Sequence, residues 1–241
     1  TDVPWQITSE VPSLNEGDFT QASITDPLDS RLTYKSSTIK AGTTTFIEDT
    51  DYEVTGSVVW TFTADGLAKL KTVQGETLTV DLVTTVTGIT ADGLQPGQIP
   101  NKATVSFNSK PLETEEPQIN FGGLTINKTD SVTGSVLAGA EFAVFELGTA
   151  TSCDALPEDA TPVTTGSTNT SGVFSVSGLF VGKDSVLTKD YCLQETKAPA
   201  GYKIVDGMQP IVITAGGTAV LTVDVENTPA TPGGMAPTGA V

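Results

Sequence analysis

Three polar residues stand where strand alternation calls for apolar ones, and their types are those of an amine, an amide and an acid that could exchange an amide bond. In Tyr191–Tyr202 (YCLQETKAPAGY), read as a strand, Tyr191, Leu193 and Glu195 share one face while Cys192, Gln194 and Thr196 share the other. The same parity places Lys128 with Leu124 and Ile126 in LTINK, and Asn227 with Leu221, Val223 and Val225 in LTVDVEN. Lys and Glu are rarely buried unless they are paired or used chemically. Burial favours the uncharged form of either group. A neutral Lys128 could then attack the Asn227 carboxamide carbon while a protonated Glu195 bonds the carbonyl oxygen, ammonia leaving and an intramolecular isopeptide bond remaining. Folding would supply the positioning, since effective molarities of about 10⁵ to 10⁸ M are reached by well-oriented groups. The plainer alternative is three strand-end residues: Lys128 reaching water along its stem, Glu195 pairing with it, and Asn227 capping a turn.

The elements that must hold these groups are strands. At 241 residues the chain has room for about two domains. Alternating runs bounded by turn residues predict an all-β class, with strands over 3–8, 19–26, 43–47, 57–63, 76–87 and 101–107 and a short helical turn over Ala64–Lys71. Two further polar residues take inward parity: Asp26 beside Ala22 and Ile24, and Asn101 beside Ala103, Val105 and Phe107. Residues 111–119 (PLETEEPQI), with Pro at both ends of PLETEEP and three Glu, read as an interdomain linker. The tail PATPGGMAPTGAV has the composition of a spacer.

Composition removes several function classes. Twenty-nine acidic against twelve basic residues give a net charge of −17, which argues against nucleic acid or an anionic membrane as partner. No apolar run has membrane-spanning length. With no His, the usual serine and cysteine triads and most zinc sites are unavailable. The acidic run EDTDYE at 48–53 reads as a solvated loop, its spacing fitting no standard calcium loop, so neither metal nor cofactor is expected. A carboxylate-pair glycosidase built on Asp26 and Glu195 is disfavoured, because the two acids fall in different predicted domains. Cys153 lies in a Thr-, Pro- and Asp-rich loop and Cys192 on the outward face of its strand. A loop-to-strand disulfide is the natural reading in an oxidising compartment, and two free thiols the alternative.

The Glu195 stretch resembles the E-box of Gram-positive, sortase-assembled pilins, and the run from Leu124 to Asn227 resembles their C-terminal immunoglobulin-like CnaB-type domain. The resemblance rests on the order Lys128, Gly139–Phe142 (GAEF), Gly172–Leu179 (GVFSVSGL), Tyr191–Tyr202 and Glu226–Pro229 (ENTP). The segment ITDPLDSRLTY resembles the start of the CnaA-type middle domain of the same pilins. The resemblance implies two tandem immunoglobulin-like β-sandwiches: a partial CnaA-like domain at 1–112, a linker at 113–121, a CnaB-like domain at 122–229 and a tail at 230–241. It also implies that Lys128 and Asn227 are cross-linked with the help of Glu195, and that Asp26 and Asn101 serve a second such bond. That bond's lysine lies, in the family, on a strand before the W-x-I strand, and this sequence has no Lys before Lys35.

Resemblance thus points to a structural subunit, the shaft pilin of a covalently polymerised fimbria at the cell surface. Its partners would be identical subunits, a sortase and peptidoglycan, with no membrane in this fragment and no enzymatic turnover beyond one self-generated bond. Ala236–Gly239 (APTG) lacks the Leu and the spacing of an L-P-x-T-G sorting signal. The competing reading is a cell-surface adhesin module that binds a host protein or glycan through sandwich loops, at the Cys153 loop or at 48–53.

Overall fold

The computed structural model describes residues 2–56, 58–91, 94–216 and 220–230, and the chain divides into two compact units, 1–119 and 120–241. The expected tail beyond Ala230, including 236–239, lies outside the described residues.

The first unit runs β1 (Asp2–Glu10), β2 (Ala22–Thr25), β3 (Leu32–Ala41), β4 (Thr44–Phe46), β5 (Tyr52–Thr55), β6 (Val59–Phe62), α1 (Ala64–Lys71), β7 (Thr77–Val86), β8 (Gln98–Pro100), β9 (Thr104–Phe107) and β10 (Lys110–Glu113). Two antiparallel sheets form, in the orders β1-β7-β3-β4 and β10-β9-β2-β6-β5. Alternation selects what they bury: Val3, Trp5 and Ile7 from β1, Leu78, Val80 and Leu82 from β7, and Ile24, Trp60 and Val105 from the second sheet. Each buried indole N–H keeps a partner, Trp5 donating to Thr84 Oγ1 at 2.8 Å and Trp60 to Ser37 Oγ at 2.8 Å.

The helix α1 starts at Thr63, whose hydroxyl accepts from Gly66 N, and it carries Asp65 in its first turn and Lys69 and Lys71 in its last, as the helix dipole favours. Gly66 cannot be replaced cheaply, because a Cβ there would sit 1.8 Å from the Asp51 carbonyl oxygen. The 48–53 segment is not a solvated loop throughout: Asp51 and Tyr52 are buried, and Asp51 accepts from Ile47 N at 2.7 Å and pairs with Lys69.

The second unit holds most of β11 (Gln118–Asp130), then β12 (Glu141–Glu146), the 3₁₀ turn Cys153–Ala155, β13 (Thr164–Ser167), β14 (Val173–Lys183), β15 (Thr188–Lys197), β16 (Met208–Thr214) and β17 (Leu221–Asn227). One sheet has the order β14-β11-β17, with β17 parallel to β11, and the other has the antiparallel order β13-β12-β15-β16. Between them pack Leu124, Ile126, Phe142, Val144, Leu179, Val181, Tyr191, Leu193, Ile211, Ile213, Val223 and Val225.

A second, smaller core lies on the other face of β12 and β15. Cys192, expected to point outward, does leave the main core, but it is fully buried against Ala143, Phe145 and the disulfide partner Cys153. Leu147, Leu156 and Ala160 of the connecting loop cover it. The loop thus turns an outer strand face into an inner one.

Candidate functional site

In the second unit three strands each carry their inward alternation one step past the core. Lys128 follows Leu124 and Ile126 on β11, Glu195 follows Tyr191 and Leu193 on β15, and Asn227 follows Val223 and Val225 on β17. Their exposures are 0%, 5% and 0%. Parallel pairing sets Lys128 opposite Val225 and Asp130 opposite Asn227.

Lys128 Nζ donates to the Val225 carbonyl at 2.9 Å. It does not reach water along its stem, and among the described residues no carboxylate lies within ion-pair distance of it. Burial holds its pKa below the ordinary lysine value, against a partial counter-pull from Glu195 and Glu226. Asn227 Nδ2 donates to Glu195 Oε2 at 2.7 Å and to the Lys203 carbonyl at 2.8 Å, and Val205 N donates to the same Glu195 oxygen at 2.7 Å. The acid therefore touches the amide nitrogen and not the carbonyl oxygen expected from the sequence. Two buried atoms remain without a hydrogen-bond partner, Glu195 Oε1 and Asn227 Oδ1.

A depressed lysine pKa has a stability consequence. Between the folded value and the higher unfolded value only the unfolded chain binds the proton, so stability rises with pH across that window. An Asn227→Ala chain, which has no amide to attack, should gain stability as pH climbs toward the ordinary lysine range. Adding Lys128→Met should flatten that slope in urea melts at several pH values.

The first unit repeats half of this arrangement. Asp26, just past β2, is 0% exposed and Asn101, just past β8, is 5% exposed, and Asn101 Nδ2 donates to Asp26 Oδ2 at 2.8 Å. Again the second oxygens, Asp26 Oδ1 and Asn101 Oδ1, are buried and unpartnered. Burial raises the Asp26 pKa, opposed by the Asn101 hydrogen bond. No amine completes the group among the described residues: Lys35, Lys40, Lys69, Lys71 and Lys102 each pair with a carboxylate elsewhere, and Lys110 is exposed. The four oxygens without partners belong to these two acid–amide pairs and to no other described side chains. Buried polar atoms are normally satisfied, so this coincidence marks both places as chemically distinct.

Sequence reasoning missed the segment after β15, which contributes the Lys203 carbonyl and the Val205 amide. Backbone groups carry no residue-type signal, and nothing in KAPAGYKIV announces them.

A family model for the SpaA prealbumin-like fold domain matches residues 122–229. Over 95% of its length the chain is similar to domains D2 and D3 of the major pilin SpaD from Corynebacterium diphtheriae, at 26% identity and TM-score 0.79, covering 93% of that structure. It spans 62% of full-length SpaD, again at 26% identity, covering 96% of itself with TM-score 0.78. The Actinomyces fimbrial adhesin FimA matches at 26% identity and TM-score 0.72, over 95% of this chain and 93% of that one. No curated protein sequence matches the chain significantly. The chain is thus similar to Gram-positive major pilins across both of its SpaD-like units, and its fold is theirs.

Proposed function

We propose that this chain is a structural segment of a fimbrial shaft on a Gram-positive cell surface, polymerised with identical subunits by a sortase, joined to peptidoglycan, and hardened by a self-generated bond between Lys128 and Asn227. The observation that carries the reading is the buried triad, with an amine and with an amide whose nitrogen rests on a carboxyl group.

The step balances within the triad. The lone pair of neutral Lys128 Nζ attacks Asn227 Cγ and a new C–N bond forms, negative charge building on Oδ1. A proton from the attacking nitrogen passes to Glu195 and from Oε2 to Nδ2, its 2.7 Å neighbour. The Cγ–Nδ2 bond then breaks, ammonia leaves, and Glu195 returns to its starting state. Asp26 and Asn101 are assigned the same roles in the first unit, toward an amine that is not among the six lysines of residues 1–119. The two loops an adhesin reading would use are structurally engaged, Asp51 with Lys69 and Cys153 with Cys192.

Intact mass tests this directly. The purified chain should be lighter than its sequence by one ammonia, and by two further hydrogens that a reductant restores. A mass short of the two hydrogens alone would discard the bond. In freshly made chains the rate of ammonia loss should rise with pH toward the depressed Lys128 pKa, because only the neutral amine attacks.

A further inference from the structure

We propose that Tyr202 and Asp130 are positioning residues for the Lys128–Asn227 condensation, acting as a latch that seats the 199–205 segment on the reacting groups. This rests on the reading of the triad given above and goes beyond its three residues.

The segment does two jobs at the site through its backbone. The Lys203 carbonyl and the Val205 N–H are the groups that, with Glu195, fix the Asn227 leaving nitrogen and the acid facing it. A backbone group can orient a side chain only as well as its own segment is held. Here the holding is done by the first and the last strand of the domain, where their ends lie side by side. Tyr202 Oη donates to Asp130 Oδ2 at 2.8 Å, tying the segment to β11 two residues beyond Lys128. Lys203 N donates to the Thr228 carbonyl at 2.9 Å, Ala230 N donates to the Gly201 carbonyl at 2.8 Å, and Tyr202 bridges Pro229, tying it to the residues just after Asn227.

Asp130 is itself fixed. It is buried, sits opposite Asn227 in the parallel ladder, and its Oδ1 accepts from Val132 N at 2.7 Å and Thr133 N at 3.2 Å. Those bonds hold its carboxyl below the usual range, so it stays an acceptor for the phenol. The latch therefore links the nucleophile's strand, the amide's strand and the segment that aims the leaving group. A misplacement of about 1 Å can cost two orders of magnitude in such a reaction.

The test follows ammonia loss by intact mass on freshly synthesised full-length chains, in the cold and on chains with the circular dichroism of the folded protein. Tyr202→Phe and Asp130→Ala should each slow conversion about tenfold or more relative to the parent chain. Asp130→Asn, whose Oδ1 can keep the Val132 and Thr133 bonds while its Nδ2 donates to the phenol oxygen, should recover most of the rate. The same variants in a Glu195→Ala background, where no bond forms, report stability alone and should shift the melting temperature little compared with their effect on rate. A parent chain that never loses ammonia would sink the triad reading itself. Conversion by Tyr202→Phe and Asp130→Ala at the parent rate would leave the triad standing and overturn the latch. The latch is equally overturned if Asp130→Asn converts no faster than Asp130→Ala, or if the slowing tracks lost stability in the Glu195→Ala background.

Discussion

A Glu195→Ala chain should regain the mass of one ammonia and lose its resistance to pulling. Lys128 lies near the end of the second unit's first strand and Asn227 at the end of its last, so a bond between them carries force from one end of the unit to the other. The residues between the two are then shielded from tension. Pulled between its termini, the parent chain should show no lengthening from the second unit. Without the bond, the parallel β11–β17 ladder bears the load and can shear. About 60 residue steps are then released while the disulfide, which spans 39 residues, stays closed, giving about 200 Å of extension at roughly 3.4 Å per residue. With reductant the released length should grow to about 330 Å. The same variant loses a covalent loop of about 100 residues, worth roughly 5 kcal/mol in the unfolded-state entropy model. For a domain of this size the melting temperature should fall by roughly 20 °C or more. Force spectroscopy and calorimetry on the two chains measure both effects, and an extension from the parent chain equal to that of the variant would mean that Lys128 and Asn227 are not joined.

Much of the fold is legible because its strands alternate without interruption. β1 presents Val3, Trp5 and Ile7 at strict spacing, and β15 and β17 do the same up to Glu195 and Asn227. Where the ladder is irregular the signal disappears. β3 has a register shift between Tyr34 and Ser36, so its buried ends, Leu32 and Ile39, fall on opposite parities and LTYKSSTIKA reads as a polar connection. Buried ion pairs hide for a different reason. Arg31 looks like part of a polar turn, yet it is buried against Asp29 and donates to the carbonyls of Ile89, Gln95 and Gln98, an arrangement that only the tertiary path of that loop creates.

The site divides along the same line. Parity suffices to place Lys128, Glu195 and Asn227 on inner faces, since it needs only the strand period. Which atom of Asn227 meets Glu195 depends on the Lys203 carbonyl, a second acceptor that fixes the amide nitrogen toward the acid. That choice changes the role assigned to Glu195. Against the carbonyl oxygen it would polarise the electrophile; against the nitrogen, which donates to it, the role proposed for it is to take up a proton and pass it to the leaving group. In the first unit the parity of Asn101 does not need a strand at all, because β9 begins only at Thr104 while Asn101 N is held by the Pro117 carbonyl.

Breaking the Cys153–Cys192 disulfide should destabilise the second unit by about 4 kcal/mol, given a closed loop of 39 residues. The disulfide and the triad use opposite faces of one strand. Cys192 faces the small core under the 147–160 loop, and Glu195, three residues on, faces the main core. Reduction therefore frees the loop and opens Ala143 and Phe145 to water without moving the residues that contact Glu195. A Cys153→Ser, Cys192→Ser chain should still lose one ammonia, while its loop becomes the first site of proteolytic cleavage. The first unit supplies an internal control, since both tryptophans, Trp5 and Trp60, lie in it and both cysteines lie outside it. Tryptophan fluorescence should therefore report an unchanged transition for the first unit while calorimetry shows the second transition falling. If the double serine variant retained its full mass, the strand would be transmitting the loop's constraint to Glu195, and the two faces of β15 would have to be treated as one mechanical element.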